Sequence, residues 1–310
     1  MLEGSIVALV TPMKAGGAVD WTALEKLLEW HLEKGTHGIV PMGTTGESAT
    51  LDTDEHLKVI QRTIEVVGGR VPVIAGTGSN STAEAIHQTQ EAERAGADAC
   101  LLVTPYYNKP TQEGLYAHYR EIASSTSVPL VLYNVPPRTA CDMNAETVAR
   151  LSELDGIVGI KEACGDVERV KAIHDLVGEG FVILSGEDAQ TRQMFDCGAK
   201  GAISVTANVL PKEMSEFCRS FLDGDLTRCE ELDSILQPVH DVLFIEVSPS
   251  PTKWVLNQMG MIEEGIRLPL LPLSEQNQNS VLKCVSKLGL INCCLLYTSD
   301  AADEGLGVDL

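Results

Sequence analysis

The sequence predicts an α/β fold, a (β/α)8 TIM barrel with a C-terminal helical appendage. Two observations lead to this prediction. Between residue 5 and about residue 205, short apolar runs alternate with segments in which apolar residues recur at the helical period. The stretch contains eight such runs, and a chain of 310 residues commonly forms one barrel rather than two domains. The repeat therefore favours a closed barrel over an open doubly wound sheet.

Each predicted strand is an apolar run that ends where polar residues begin. The eight runs cover residues 5–10, 38–41, 71–75, 99–103, 129–133, 157–161, 181–184 and 201–205. The helical period is clearest in segments 21–32 and 83–92. Asp20, Thr53 and Ser81 precede helical segments, and we predict that their side-chain oxygens cap them.

We predict three segments along the chain. Residues 1–210 form the barrel, and residues 211–292 form a helical region of about three helices, interrupted by the proline-rich segment 248–251. Residues 293–310 are predicted to be a non-native tail. Codons that would encode this stretch match a transposase-type sequencing adapter in two pieces, and the gap between the pieces has the length of the adapter's index sequence. The alternative is a natural, acidic, disordered tail.

The composition excludes several classes of partner. A net charge of -21 opposes binding to nucleic acid or to an anionic membrane, although a small anionic substrate can still bind through local arginine and backbone amides. No run approaches 18 uncharged apolar residues, and residues 1–4 carry no basic signal region, so we expect a cytoplasmic protein. The nine cysteines lack zinc-like spacing, so we expect reduced thiols and no metal site.

Polar side chains follow four of the predicted strands. Lys161 ends the sixth strand, directly after the apolar run 156–160. Apolar surroundings disfavour the charged form of an amine, and neutral amines attack carbonyl carbons. The other three strands are followed by a glycine- and threonine-rich loop, a pair of tyrosines, and an arginine after two prolines, within segments 43–48, 104–108 and 133–139. Barrel active sites gather at this end of the strands, so we expect one shared site.

The residue types at this end suit carbonyl chemistry. Tyr107, Thr44 and Tyr133 offer hydroxyl groups for proton transfer. The glycines around Thr44 and Thr45 allow backbone amides to approach a carboxylate, and Arg138 offers a planar fork for a second one. The loop lacks the lysine and the spacing of a P-loop, so nucleotide binding is not expected. Each motif alone is more often structural, but their location at one end of the barrel favours a site.

These motifs resemble those of the 4-hydroxy-tetrahydrodipicolinate synthase family, formerly called dihydrodipicolinate synthases. The motifs cover residues 43–50, 103–108, 133–136, 138–139 and 159–163. The resemblance implies a lyase of lysine and diaminopimelate biosynthesis. In that reaction Lys161 forms a Schiff base with pyruvate, and the resulting enamine attacks L-aspartate 4-semialdehyde. The covalent adduct with pyruvate implies that no separate cofactor is needed.

The resemblance also implies roles for individual residues. Tyr133, Thr44 and Tyr107 would form the proton relay, with Tyr107 reaching into a neighbouring subunit of a homotetramer built as a dimer of dimers. Arg138 would bind the carboxylate of the semialdehyde, while the backbone amides of Thr44 and Thr45 hold that of pyruvate. Two further residues match the family's pocket wall, namely Gly186 and Ile203.

Many bacterial members of this family are inhibited by L-lysine at a subunit interface, and the chain matches the inhibited type. The matching residues are Ser48, Ala49, His56, Asn80, Glu84 and Tyr106. The resemblance implies that Glu84 pairs with the amine of the effector. Thr53 stands where sensitive members commonly carry histidine, so the strength of inhibition stays open.

Three alternatives remain at this stage. N-acetylneuraminate lyases and 2-keto-3-deoxy-sugar acid aldolases share the barrel, the lysine and the tyrosine, so the fold alone does not select the substrate. Arg138 and Tyr107 favour the synthase, because a sugar aldolase would need a more open pocket that binds hydroxyl groups. The second alternative is a non-catalytic ligand sensor built on this barrel. The third is a chimera inactivated by its altered C-terminus.

Overall fold

The computed structural model describes residues 2–291, in which eight parallel strands form a closed sheet. The strands are β1 Gly4–Ala8, β2 Gly38–Val40, β3 Ile74–Gly76, β4 Ala99–Val103, β5 Leu130–Asn134, β6 Ile157–Glu162, β7 Val182–Ser185 and β8 Gly201–Ser204. Their spatial order is β2-β1-β8-β7-β6-β5-β4-β3, and a parallel bridge between Ile39 and Val73 joins the two ends. The predicted (β/α)8 barrel is confirmed.

Helices follow the strands and cover the outside of the barrel. Those before the last strand are α1 Trp21–Glu33, α2 Thr53–Val67, α3 Thr82–Ala95, α4 Gln112–Ser124, α5 Pro136–Thr139, α6 Ala145–Ser152, α7 Val167–Val177 and α8 Thr191–Asp196. Those after it are α9 Pro211–Leu222, α10 Leu226–Leu243, α11 Ser250–Gln258 and α12 Glu275–Lys287. The sequence indicated about three helices after β8, but residues 2–291 contain four. The reason is that Pro251 lies in the first turn of α11, where proline is compatible with a helix start.

Some predicted boundaries are wrong by a few residues. Strand β1 ends at Ala8 rather than at Val10, because the Val10 N–H donates to the Asn208 side chain instead of a neighbouring strand. Helix α2 is capped by Asp52, whose carboxylate accepts from the Glu55 N–H at 2.8 Å, and not by Thr53. The predicted caps Asp20 and Ser81 are confirmed.

The barrel separates two apolar cores. The interior core contains side chains from seven of the eight strands and from the segments that follow β5 and β6, namely Ile6, Ala8, Val40, Ile74, Ala99, Leu101, Val131, Tyr133, Val135, Ala163, Leu184 and Ile203. The second core lies between the strands and the helices, and it continues into α10, α11 and α12. Side chains generally alternate between these cores along a strand, so alternate residues reach the interior. A register shift between β5 and β6 interrupts the pattern at the start of β6, where Ile157 and Ile160 both belong to the second core.

The C-terminal helices continue directly from the barrel. Helix α9 packs against both β1 and α10. The division at residue 210 stays a prediction, and the segment 293–310 lies outside the described residues. Within residues 2–291, none of the helices combines the length and the apolar character needed to cross a membrane.

Candidate active site

Lys161 and Tyr133 point into the barrel from neighbouring strands. They are register partners on β6 and β5, and the lysine Nζ lies 4.3 Å from the centroid of the tyrosine ring. Each residue is only 6% exposed. Alternation along β6 explains the placement, since Ile160 and Glu162 then face the helices. The predicted amine and phenol are therefore adjacent inside the barrel.

The barrel wall next to Lys161 has no room for a side chain at position 186. A Cβ atom built on Gly186 would lie 2.8 Å from Lys161 Cε and 2.7 Å from Ala163 Cβ. Ile203 belongs to the same interior core as Tyr133. Both residues predicted to form the pocket wall therefore lie in the part of the barrel that holds the lysine.

A buried polar cluster joins the ends of β5 and β6 on the opposite face. Asn134 and Glu162 are register partners, one residue past Tyr133 and Lys161. The Asn134 Nδ2 group donates to the two carboxyl oxygens of Glu162 at 3.0 and 3.2 Å. Burial raises the pKa of Glu162 to about 7, although the hydrogen bond from Asn134 opposes the shift. We did not predict this cluster, although alternation along β6 places Glu162 opposite the lysine.

The loop after β2 contains the two threonines predicted to hold a carboxylate. The Glu47 N–H donates to the Thr44 carbonyl at 3.0 Å, and Glu47 has a φ of 59° in the left-handed region. Thr45 is buried, while Thr44 is exposed. The Thr11 hydroxyl, which lies just after β1, holds the loop by donating to the Gly46 carbonyl at 2.7 Å. The loop is therefore a closely held turn, with one of its threonines at the surface.

A cavity of about 440 Å³ opens beside this loop. Its lining combines residues predicted for the substrate with residues predicted for the effector: Thr44, Arg138, Ser48, Ala49, His56, Glu84 and Tyr106. Thr53 lines it as well. Arg138 reaches the cavity from α5, whose first turn is set by Pro136 and Pro137. The structure thus places the predicted carboxylate-binding arginine and the predicted effector residues on one cavity, while Lys161 belongs to the barrel interior.

Hydrogen bonds hold two of the predicted effector residues in place. His56 is buried, and its Nε2 lies 2.7 Å from the Gly76 carbonyl, which accepts a hydrogen from the ring because a carbonyl cannot donate one. Burial lowers the pKa of His56, so the ring is neutral at pH 7. The Ser79 hydroxyl donates to Glu84 Oε2 at 2.6 Å, which orients that carboxylate. The cavity therefore offers a fixed acidic group suited to a cation.

Tyr107 and Asn80 lie on the loops beside the cavity. Asn80 donates through Nδ2 to the Tyr106 carbonyl at 3.1 Å and accepts from the Asn108 side chain at 2.8 Å. These bonds hold a segment in which Tyr107 has a φ of 72° and is 90% exposed. Within the described residues of a single chain, Tyr107 does not come together with Lys161. Its side chain instead projects from the surface.

Two carboxyl groups near the site were not predicted from the sequence. Burial raises the pKa of Glu187, and the positive charges of Lys161 and Arg138 oppose the shift. Glu47 forms a buried ion pair with Lys253 of α11. No group of three or more His, Cys, Asp or Glu side chains in residues 2–291 is arranged to hold a metal ion.

Known proteins resemble this chain over nearly its whole length. The Dihydrodipicolinate synthetase family matches residues 1–288. A 4-hydroxy-tetrahydrodipicolinate synthase of Pseudomonas putida is 54% identical over 291 residues, which is 94% of this chain and 100% of the relative. The structure is similar to the chloride-inhibited dihydrodipicolinate synthase of Acinetobacter baumannii complexed with pyruvate, with a TM-score of 0.92, 51% identity, and coverage of 94% of this chain and 100% of the other.

A second solved structure is a lysine-bound synthase. The enzyme of Cyanidioschyzon merolae with lysine bound has a TM-score of 0.90 and 36% identity, and the match covers 93% of this chain and 99% of the other. The matches extend over nearly the whole of each relative, so they include both the barrel and the C-terminal helices. The chain belongs to the dihydrodipicolinate synthase family.

Proposed function

We propose that this chain condenses pyruvate with L-aspartate 4-semialdehyde, through a Schiff base on Lys161, to give 4-hydroxy-tetrahydrodipicolinate. The observation that carries the proposal is the pairing of a buried amine with the Tyr133 ring at 4.3 Å inside the barrel of a family of such synthases. The reaction belongs to lysine and diaminopimelate biosynthesis. Lys161 itself supplies the reactive group, so the proposed reaction uses no separate cofactor.

The proposed steps begin at the amine. Lys161 Nζ bonds to C2 of pyruvate, and the carbonyl oxygen leaves as water with the two protons that the amine loses. A methyl proton is then removed and the imine nitrogen gains a proton, which gives an enamine. The terminal carbon of the enamine bonds to the aldehyde carbon of the semialdehyde; the nitrogen loses its proton as the imine re-forms, and the aldehyde oxygen gains one to become a hydroxyl group. The amino group of the joined product then displaces Nζ from the imine carbon, which closes the ring and frees the lysine.

We assign the proton transfers and the binding contacts to the residues around the amine. The hydroxyl group of Tyr133 transfers protons next to Lys161, and the hydroxyl group of Thr44 connects it to Tyr107 of a neighbouring chain. The backbone amides of Thr44 and Thr45 bind the pyruvate carboxylate. Arg138, which lines the cavity, binds the semialdehyde carboxylate. The pocket wall is completed by Gly186 and Ile203.

The proposal includes an assembly of four chains as a dimer of dimers. Its support is Tyr107, which is 90% exposed on one chain and would complete the relay only in the site of a neighbouring chain. We also propose a cytoplasmic location. The free thiols of the described cysteines support it, because disulfides persist mainly in oxidising compartments.

We propose L-lysine as the effector of the cavity. The support is the carboxylate of Glu84, oriented by Ser79, and a lysine-bound relative of the same fold. The α-amino or ε-amino group of the effector would pair with Glu84, while the neutral His56 ring forms part of the wall.

The test is intact mass after incubation with pyruvate and borohydride, with turnover of L-aspartate 4-semialdehyde followed in parallel. We expect one pyruvate adduct per chain, located on Lys161 by peptide mapping, together with turnover of the semialdehyde. An adduct without turnover would indicate a sister aldolase that uses another acceptor. No adduct at all would overturn the proposed function in favour of a sensor or an inactive chain.

A further inference from the structure

Glu47 and Lys253 form an ion pair inside the protein. Glu47 lies three residues after Thr44 in the loop that follows β2, and Lys253 lies on α11, 206 positions further along the chain. The side chain of Glu47 is 0% exposed and that of Lys253 is 6% exposed. Removing two charges from water is costly, and removing one partner of such a pair leaves an uncompensated buried charge. The pair therefore joins the loop firmly to the C-terminal helices.

The second carboxyl oxygen of Glu47 also contacts the C-terminal region. Glu47 Oε2 accepts from the backbone N–H of Arg267 at 3.1 Å. The guanidinium of Arg267 donates to the Thr50 carbonyl at 2.9 Å and to both carboxyl oxygens of Glu55 at 2.7 and 2.8 Å. Lys253 and Arg267, which follow the barrel in the sequence, thus hold the segment 47–55 at both of its ends.

The position of Glu47 matters because it lines the same cavity as Thr44 and Arg138. An anionic substrate that binds at the Thr44 amide shares this cavity with the carboxylate of Glu47, which lies three positions further along the chain. Two negative charges repel strongly in such a site, since water screens them little. A positive charge in direct contact with Glu47 removes most of that repulsion.

We propose that Lys253 is a positioning residue for pyruvate. It acts through Glu47 by cancelling the charge of that carboxylate, so that the Thr44 and Thr45 amides can accept the carboxylate of pyruvate. Lys253 itself does not touch the substrate. The inference rests on the proposed function, because pyruvate is the anion expected at these amides.

The role predicts opposite effects for the two halves of the pair. In Lys253→Met the charge of Glu47 is no longer cancelled, so we expect the KM for pyruvate to rise roughly tenfold. In Glu47→Gln the anion is removed while the amine remains, so the KM for pyruvate should stay level or fall. The double variant Glu47→Gln/Lys253→Met should return to within about threefold of the unsubstituted chain. The KM for the semialdehyde should change little throughout.

The control is Lys212→Met, which removes a lysine charge from a side chain that is 63% exposed. Thermal unfolding is measured for every variant. A purely structural pair would lower the stability of both single variants and move the two KM values for pyruvate in the same direction. That result, or an unchanged KM in a folded Lys253→Met variant, would overturn the inference.

Two outcomes separate this inference from the proposed function. If the unsubstituted chain turns over and Glu47→Gln raises the KM for pyruvate tenfold, the inference fails alone. If Lys253→Met does not fold, the KM of Glu47→Gln for pyruvate still tests the inference. If the unsubstituted chain forms no pyruvate adduct with borohydride, the proposed function fails and the inference fails with it.

Discussion

The Lys161 amine lies over the face of the Tyr133 ring, with Nζ 4.3 Å from the ring centroid. No backbone motion is needed to bring the amine and the phenol together, because the two residues are register partners on adjacent strands. The stiff barrel sheet thus sets the geometry of the proposed nucleophile and its nearest proton carrier.

Lys161→Ala should abolish pyruvate trapping by borohydride and leave the barrel folded. The reason is that the substitution removes the proposed nucleophile while β6 keeps its strand pairs. Intact mass and circular dichroism test the two parts of this expectation. Lys212→Ala, at an exposed site on α9, should still give the adduct. If the Lys161→Ala variant were still trapped, another amine would be the nucleophile, and Lys253 would be the first to map.

Tyr107→Phe should slow turnover about tenfold or more, because it removes only the hydroxyl group proposed for proton transfer. The free energy of unfolding should change by less than about 0.5 kcal/mol, since the side chain is 90% exposed on the chain. Steady-state kinetics and denaturant unfolding measure both quantities. Tyr116→Phe is the matched control. An unchanged rate in Tyr107→Phe would remove this residue from the relay.

Gly186→Ala should reduce adduct formation at least tenfold, because the new methyl group would lie 2.8 Å from Lys161 Cε and displace the lysine. We expect a cost of about 1–3 kcal/mol in the free energy of unfolding from the same overlap. Gly180→Ala is the control, since a Cβ there meets no atom within 4 Å. Equal trapping rates in the two variants would contradict the tight packing of the lysine.

Glu162 should make the stability depend on pH. Its pKa is raised from 4.5 to about 7 in the folded protein, mainly by burial. The folded protein therefore binds this proton more tightly than the unfolded chain does. The resulting stabilisation is fully present below pH 4.5 and is lost as the pH rises through about 7, with a total of about 3 kcal/mol.

Denaturant unfolding from about pH 5 to about pH 8 tests this expectation. The Glu162→Gln variant has no proton to lose, so its free energy of unfolding should fall less over this range. Glu33→Gln, at an exposed position on α1, should keep the slope of the unsubstituted chain. If Glu162→Gln also kept that slope, Glu162 would not be the group responsible.

Glu84→Gln should weaken inhibition by L-lysine about tenfold or more, because the effector amine loses its ionic partner while the shape of the side chain is kept. The uninhibited rate should stay the same. Inhibition curves at fixed pyruvate measure the effect, and Glu33→Gln again serves as the control. Full inhibition of Glu84→Gln would place the effector amine elsewhere.

Strand-end residues were predictable from the sequence. Lys161, Tyr133 and the loop around Thr44 follow recognisable apolar runs, and a parallel barrel brings such ends together. The Glu47–Lys253 pair was not predictable, because its partners are 206 positions apart and neither belongs to a periodic pattern. The end of β1 was also misplaced, since the side chain of Asn208 replaces a neighbouring strand as the hydrogen-bond partner of Val10.

The exposure of Tyr107 makes chain concentration a variable of the proposed reaction. In the proposed relay, the Tyr107 side chain, which is 90% exposed on its own chain, would contribute to turnover only while another chain lies against it. Rate per chain would then fall on dilution, following mass action, although each barrel stays folded and each Lys161 stays in place. Dilution would thereby separate the capacity to form the pyruvate adduct from the capacity to turn over.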